Sequence, residues 1–182
     1  MIKKISTNID GLYVLENISH SDNRGLFREL WNKNNMQKLE LNNSFDQDNM
    51  SISSKNVIRG LHYQTKPHEQ LKYIQVLHGK ILDVAVDLRK ESNTFGEYFS
   101  IEISDKNSMG LWIPKGFAHG FLALQEKTIV VYKCAGKYKK NYEKTIKWND
   151  PQLNIKWGIN SPKVSIKDSK GISFASFQKI KN

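Results

Sequence analysis

Short apolar runs of period two, broken by turn residues, recur through the middle of this chain and leave little room for helices. KYIQVLHGKILDVAVDLRK, residues 72–90, reads as two alternating runs joined at His78-Gly79-Lys80, which predicts a hairpin. EYFSIEIS (97–104) alternates again, MGLWIP (109–114) is stopped by Pro114, and TIVVYKCAG (128–136) follows after one loop. Only WNKNNMQKLELNN, residues 31–43, has helical spacing, through Met36 and Leu39. So many strands with scarcely a helix predict an all-β sandwich or barrel. Residues 151–182 are less periodic and are expected to pack over the outside as loops and short helical pieces.

At 182 residues the chain suits a single domain over 1–182 with one real core. With 38% hydrophobic and 25% charged residues it reads as soluble and globular, and no apolar run is long enough to span a membrane. The start, MIKKISTNID, lacks the apolar stretch of a signal peptide, and the lone cysteine, Cys134, permits no internal disulfide. Both features lead us to expect a cytoplasmic protein without membrane association. The neighbours of Cys134 suggest a small strand residue, not a nucleophile. A formal charge of +10 suits an anionic partner. The lysines are dispersed, however, and no basic helix, zinc spacing or interleaved aromatic motif supports a nucleic-acid partner.

The stretch NVIRGLHYQ, residues 56–64, is strand-like through Val57, Ile58, Leu61 and Tyr63, yet holds Arg59 and His62 around Gly60. Regular alternation puts Ile58, Gly60 and His62 on one face and Arg59 on the other. If Arg59 and His62 serve one cavity, the ladder must be irregular near Gly60, where a bulge is easiest. The same parity groups Asp83, Ala85 and Asp87 against Val84 and Val86, and groups Val130, Tyr132 and Cys134.

PKGFAHGF, residues 114–121, has a P-x-G-x-x-H spacing that resembles the second motif of the cupins, a jelly-roll superfamily. The H-x-H pair of metal-binding cupins is absent, and His62 and His119 alone do not supply three or four converging ligands. The expectation is therefore no metal. A histidine, a tyrosine, a lysine and a carboxylate can instead move protons beside a carbonyl. Taken one at a time, each residue type has an ordinary structural reading, as a packed strand residue or a solvated lysine.

The ordered set DNRGLFRE (22–29), Gln47-Asp48-Asn49, RGLHYQ (59–64), QLK (70–72), DVAVDLRKES with TFG (83–96), IPKGFAHGF (113–121), YKC (132–134), WNDP (148–151) and Lys167-Asp168 spans nearly the whole chain. It resembles the dTDP-4-dehydrorhamnose 3,5-epimerase family. The resemblance implies a cupin-type jelly roll (a double-stranded β-helix) with a few short peripheral helices. It implies a homodimer with no metal or organic cofactor, acting on dTDP-4-dehydro-6-deoxy-D-glucose. It implies His62 as general base, Asp168 as its orienting carboxylate, Tyr132 as general acid and Lys72 as holder of the C4 oxygen. His119 and Asp83 would frame the sugar, and Arg59 would meet the diphosphate. Arg24, Glu29, Gln47, Asn49, Glu143 and Lys167 match nucleotide- and sugar-holding positions, and Tyr138 matches an aromatic that stacks on thymine. The segment around Arg24 is expected to reach a neighbouring subunit. Asn56, Tyr73-Ile74 and the 135–137 stretch depart from the usual family pattern without touching these residues. The alternatives are a relative that epimerises C3 or C5 alone on a related 4-keto sugar nucleotide, and a non-catalytic sugar-binding cupin.

Overall fold

A computed structural model describes residues 2–180. Strands and helices are numbered in chain order. One six-stranded sheet runs in the order β1 (Lys3–Ser6), β2 (Tyr13–Glu16), β10 (Met109–Ile113), β7 (Leu71–His78), β12 (Thr128–Ala135), β5 (Gln47–Ser53). The second runs β13 (Glu143–Thr145), β6 (Val57–Gln64), β11 (Phe117–Ala123), β8 (Lys80–Asp87), β9 (Tyr98–Ser104), with β14 (Lys163–Val164) parallel to β6. A separate hairpin pairs β3 (Ser19–Asp22) with β4 (Gly25–Arg28). This is the cupin-type jelly roll. The helices are short: α1 (Lys33–Lys38), α2 (Ile166–Ser169) and α3 (Phe174–Gln178).

The hairpin expected at His78-Gly79-Lys80 does not form. β7 pairs with β10 and β12, whereas β8 pairs with β11 and β9, so Gly79 turns a corner between sheets. Its φ is +80°, and a Cβ there would come within 2.6 Å of Thr128 Oγ1. Close approach to another strand, and not a two-residue turn, fixes the glycine. The helix predicted over 31–43 shrinks to α1, capped by the Asn32 side chain, which accepts from Asn35 N–H. Met36 is buried against Leu15, Leu71, Tyr73 and Trp112 on the outer face of the first sheet.

Strand alternation divides the core as the sequence pattern predicts. Ile74, Val76, Ile81, Ala85, Phe121 and Val130 meet between the two sheets. Val84 and Val86 point the other way, into an outer layer where the C-terminal tail supplies Leu153, Trp157, Phe174 and Phe177. The inward positions change character along each strand. β7 presents Lys72 before Ile74 and Val76; β12 presents Val130, then Tyr132, then Cys134. One end of the barrel is therefore closed by packed hydrocarbon and the other is polar. Among the described residues no helix is long and apolar enough to cross a membrane.

Candidate active site

β6 breaks its own alternation. His62 lies opposite His119, but Arg59 lies opposite Phe121, so three steps on β6 match two on β11. This is the irregularity anticipated at Gly60. Gly60 has φ +130°, and a Cβ would lie 2.5 Å from Gly120 Cα, so the two backbones touch where the extra residue is accommodated. The consequence corrects the face predicted for Ile58. Ile58, Leu61 and Tyr63 all enter the outer apolar layer. Arg59 extends to the facing sheet, donating to Ser53 Oγ (3.0 Å) and Ile52 O (3.2 Å). His62 faces a cavity of about 260 Å³.

That cavity is built from both sheets. Gln47, Asn49, Lys72, Tyr132 and Cys134 come from the first sheet, and His62, Gln64 and Glu143 from the second. Register explains the grouping: Cys134 sits between Lys72 and Gln47, and Tyr132 between Ile74 and Asn49. Tyr132 and His62 thus look into one space from opposite walls. Tyr138, on the segment between β12 and β13, lines the same cavity.

Two histidine–carboxylate pairs stand side by side across β6 and β11. His62 Nε2 is 2.6 Å from Asp168 Oδ1, and Asp168 Oδ2 accepts the Gly60 N–H at 3.2 Å. Asp168 is placed by α2, whose N-cap Ser165 accepts the Asp168 N–H at 3.0 Å. Burial pushes the Asp168 carboxyl up, but the bond and charge of His62, the Gly60 N–H and the Lys167 charge outweigh it and hold the group below the usual carboxylate range. Asp168 is therefore an anion, which favours the His62 tautomer that donates Nε2–H and leaves Nδ1 as the ring's acceptor nitrogen. His119 Nε2 is 2.7 Å from Asp83 Oδ1, and both residues are buried. Asp83 Oδ2 has no hydrogen-bond partner among the described residues.

Desolvation lowers the pKa of Lys72, opposed by Cys134, Glu143 and Asp83 and reinforced by Lys167. Desolvation raises that of Tyr132, helped by Cys134 and Glu143 and opposed by the Arg59 charge, so the phenol keeps its proton. Glu143 joins the two ends of the site: its Oε2 accepts from Tyr138 OH at 3.1 Å and lies 2.6 Å from Lys167 Nζ. A histidine, a proton-bearing phenol and a half-buried lysine around one cavity can carry a carbon acid through its enolate. Among the described residues, no three His, Cys, Asp or Glu side chains converge as a metal site.

Arg24 and Glu29 stand apart from this cavity in their own chain. Arg24 pairs with Asp22 at 2.6 Å on the β3–β4 hairpin, and Glu29 accepts from the side chains of Asn32 and Asn35. Four further lining residues, Tyr63, Gln64, Gln70 and Cys134, escaped the sequence reading of the site. Strand parity carried the signal for two of them, since Gln64 follows His62 by two residues and Cys134 follows Tyr132 by two. Gln70 lies in a loop, where strand parity gives no signal.

A cupin-type jelly roll with a histidine–aspartate pair and a phenol facing one another across a polar cavity has the parts of a proton-moving isomerase. The family described as dTDP-4-dehydrorhamnose 3,5-epimerase matches residues 6–176. A protein of that description from Methanothermobacter thermautotrophicus is 45% identical over 155 residues, 85% of this chain and 83% of the other. The crystal structure of the Bacillus anthracis enzyme with TDP and PPi bound superposes with a TM-score of 0.93 at 42% identity, covering 96% of this chain and 100% of the other. The Legionella pneumophila enzyme in complex with dTDP-4-keto-L-rhamnose gives a TM-score of 0.93 at 38% identity, covering 100% and 95%. The chain belongs to the dTDP-4-dehydrorhamnose 3,5-epimerase family, and its activity is that of an isomerase.

Proposed function

We propose that the cavity inverts C3 and C5 of dTDP-4-dehydro-6-deoxy-D-glucose, on the way to dTDP-L-rhamnose, with His62 as base and Tyr132 as acid. The observation that carries this reading is the placement of His62 and Tyr132 on opposing sheets around one cavity. The C4 ketone acidifies the C–H bonds on either side of it. His62 takes the proton, the electron pair moves into the enolate, and its oxygen develops negative charge against the Lys72 ammonium. Tyr132 then returns a proton to the same carbon from the other face, which reforms the ketone and inverts the centre. Exchange with solvent then removes the proton from His62 and restores one to Tyr132, and the cycle repeats at the second carbon. One preorganised donor of the Lys72 kind typically contributes about 3 kcal/mol to such a transition state.

His119 and Asp83 frame the sugar. Arg59 meets the diphosphate, Gln47, Asn49, Glu143 and Lys167 hold the nucleotide and sugar, and Tyr138 stacks on thymine. The active species is a homodimer in the cytoplasm, where the lone thiol stays reduced. Two features support the dimer. Met50 (63% exposed), Ile52 (56%) and Leu77 (42%) form an apolar stripe on the outer face of the first sheet. The β3–β4 hairpin carries Arg24 away from its own cavity with Phe27 69% exposed.

Incubating enzyme with the dTDP-4-keto sugar in deuterated water tests the chemistry. Label at both C3 and C5, with the L-lyxo product formed, is expected. Label at one carbon alone would assign the single-centre reaction, and full turnover by His62→Ala would remove the base assignment.

A further inference from the structure

Tyr138 is 47% exposed and lies on a segment without regular secondary structure between β12 and β13. No sheet ladder holds that backbone in place. A side chain substitutes for one. Gln64, only 8% exposed, accepts the Lys139 N–H at Oε1 (2.7 Å) and donates from Nε2 to Lys137 O (3.3 Å) and His68 O (2.6 Å). Its primary amide thus bonds the residues immediately before and after Tyr138, as a neighbouring strand would. The Tyr138 hydroxyl is fixed separately, donating to Glu143 Oε2. Buried from water, the amide bonds hold the segment firmly, because breaking them leaves polar groups unsatisfied.

We infer that Gln64 is a positioning residue that sets the distance between the base-recognising ring of Tyr138 and the catalytic imidazole of His62. It rests on the reading of Tyr138 as the aromatic that stacks on thymine. His62 and Gln64 share one face of β6, two residues and about 7 Å apart. One strand therefore carries both the base for the sugar end and the clamp for the nucleotide end. A nucleoside diphosphate sugar must match that span to put its C3 and C5 hydrogens at His62. Gln64 acts on nucleotide affinity through Tyr138 and does not touch the reacting carbons.

The test is calorimetric binding of dTDP together with steady-state kinetics for Gln64→Leu, Gln64→Glu, Tyr138→Ala and the Gln64→Leu/Tyr138→Ala double variant. Gln64→Leu is expected to weaken dTDP binding about tenfold, with the loss appearing in KM and not in kcat. In the Tyr138→Ala background the same change should add nothing. Losses that simply add, or a loss confined to kcat, would overturn the positioning role while leaving Tyr138 as the stacking residue. Unchanged dTDP affinity in Tyr138→Ala would instead overturn the stacking reading and the inference with it. Gln64→Glu keeps the acceptor for Lys139 and removes both donors, so it gives the same readout should the leucine variant melt early.

Discussion

His62 Nε2 and Asp168 Oδ1 lie 2.6 Å apart, and the carboxylate is itself held by the Gly60 N–H that the β6 bulge leaves available. The bulge and the histidine–aspartate pair are therefore one device. Asp168→Asn keeps the volume but can present an N–H to Nε2, which selects the other tautomer and buries the basic nitrogen. We expect kcat to fall about 10²- to 10⁴-fold with dTDP affinity unchanged, measured by steady-state kinetics and calorimetry.

Tyr132→Phe separates the two halves of an inversion. The ring and its packing remain, but no proton awaits the far face of the enolate. Loss of substrate hydrogen to deuterated water should continue through His62, while formation of the inverted product drops by about 10²-fold or more. A variant that lost exchange and inversion in equal measure would contradict separate roles for the two residues. Because burial raises the Tyr132 pKa, the wild-type phenol should stay protonated to higher pH than free tyrosine.

Lys72 places function against stability. Its folded pKa is lowered by burial, so the unfolded chain binds the proton more tightly and stability rises as pH climbs from the folded value toward the ordinary lysine value. Desolvation of the amine is a cost that the apolar Lys72→Met would remove. That variant should gain a few degrees in Tm, of the order set by about 1 kcal/mol, and lose about 10²- to 10³-fold in kcat. With Lys72 holding the enolate oxygen as proposed, the same lowering should bring the alkaline limb of activity below the ordinary lysine range. Calorimetric melts and a kcat–pH profile check both halves.

Asp87 illustrates a motif that is structural. Its carboxylate, fully buried, accepts from Arg89 N–H, Arg89 Nε and Nη2, Ser92 Oγ and Thr94 Oγ1. Burial raises its pKa, yet the Arg89, Ser92 and Thr94 bonds outweigh that and leave it lowered. A depressed carboxyl stabilises the fold above its unfolded pKa near 3.8, and that contribution is lost as pH falls through the lower folded value. Asp87→Ala should cost about 3–5 kcal/mol in urea melts at pH 7, because the guanidinium is left unpaired. The difference from wild type should shrink toward pH 3.

Much of this was readable from residue order. The parity that set Ala85 apart from Val84 and Val86 separated the two faces correctly, because a period of two survives wherever the ladder is regular. It failed at Ile58, where the bulge inserts a residue, although Gly60 marked the place. The Gly79 turn was misread because a glycine with positive φ serves equally in a hairpin and at a corner; only the partners of β7 and β8 decide. Helical spacing over 31–43 outran the real helix, since Glu40 adopts φ +63° just beyond the Leu39 cap and ends it. Arg24 and Glu29 were grouped with the site by resemblance. In a single chain the β3–β4 hairpin holds them elsewhere, which local pattern cannot anticipate.

That separation yields the sharpest test of assembly. If the hairpin of one subunit completes the cavity of the other, Arg24→Ala and His62→Ala each damage every site of their own homodimer. Mixing the two variants under subunit exchange makes heterodimers in which one site joins an intact His62 to an intact Arg24. Activity should recover toward about a quarter of the wild-type value, the statistical share of complete sites when exchange is random. Placing a charge on the outer stripe, as Met50→Asp with Ile52→Asp, should give monomers by sedimentation and abolish the recovery, since burying either carboxylate in an apolar interface is strongly unfavourable. Monomers with full turnover, or mixtures no more active than their parents, would mean that each chain completes its own site and that the exposed hairpin has another use.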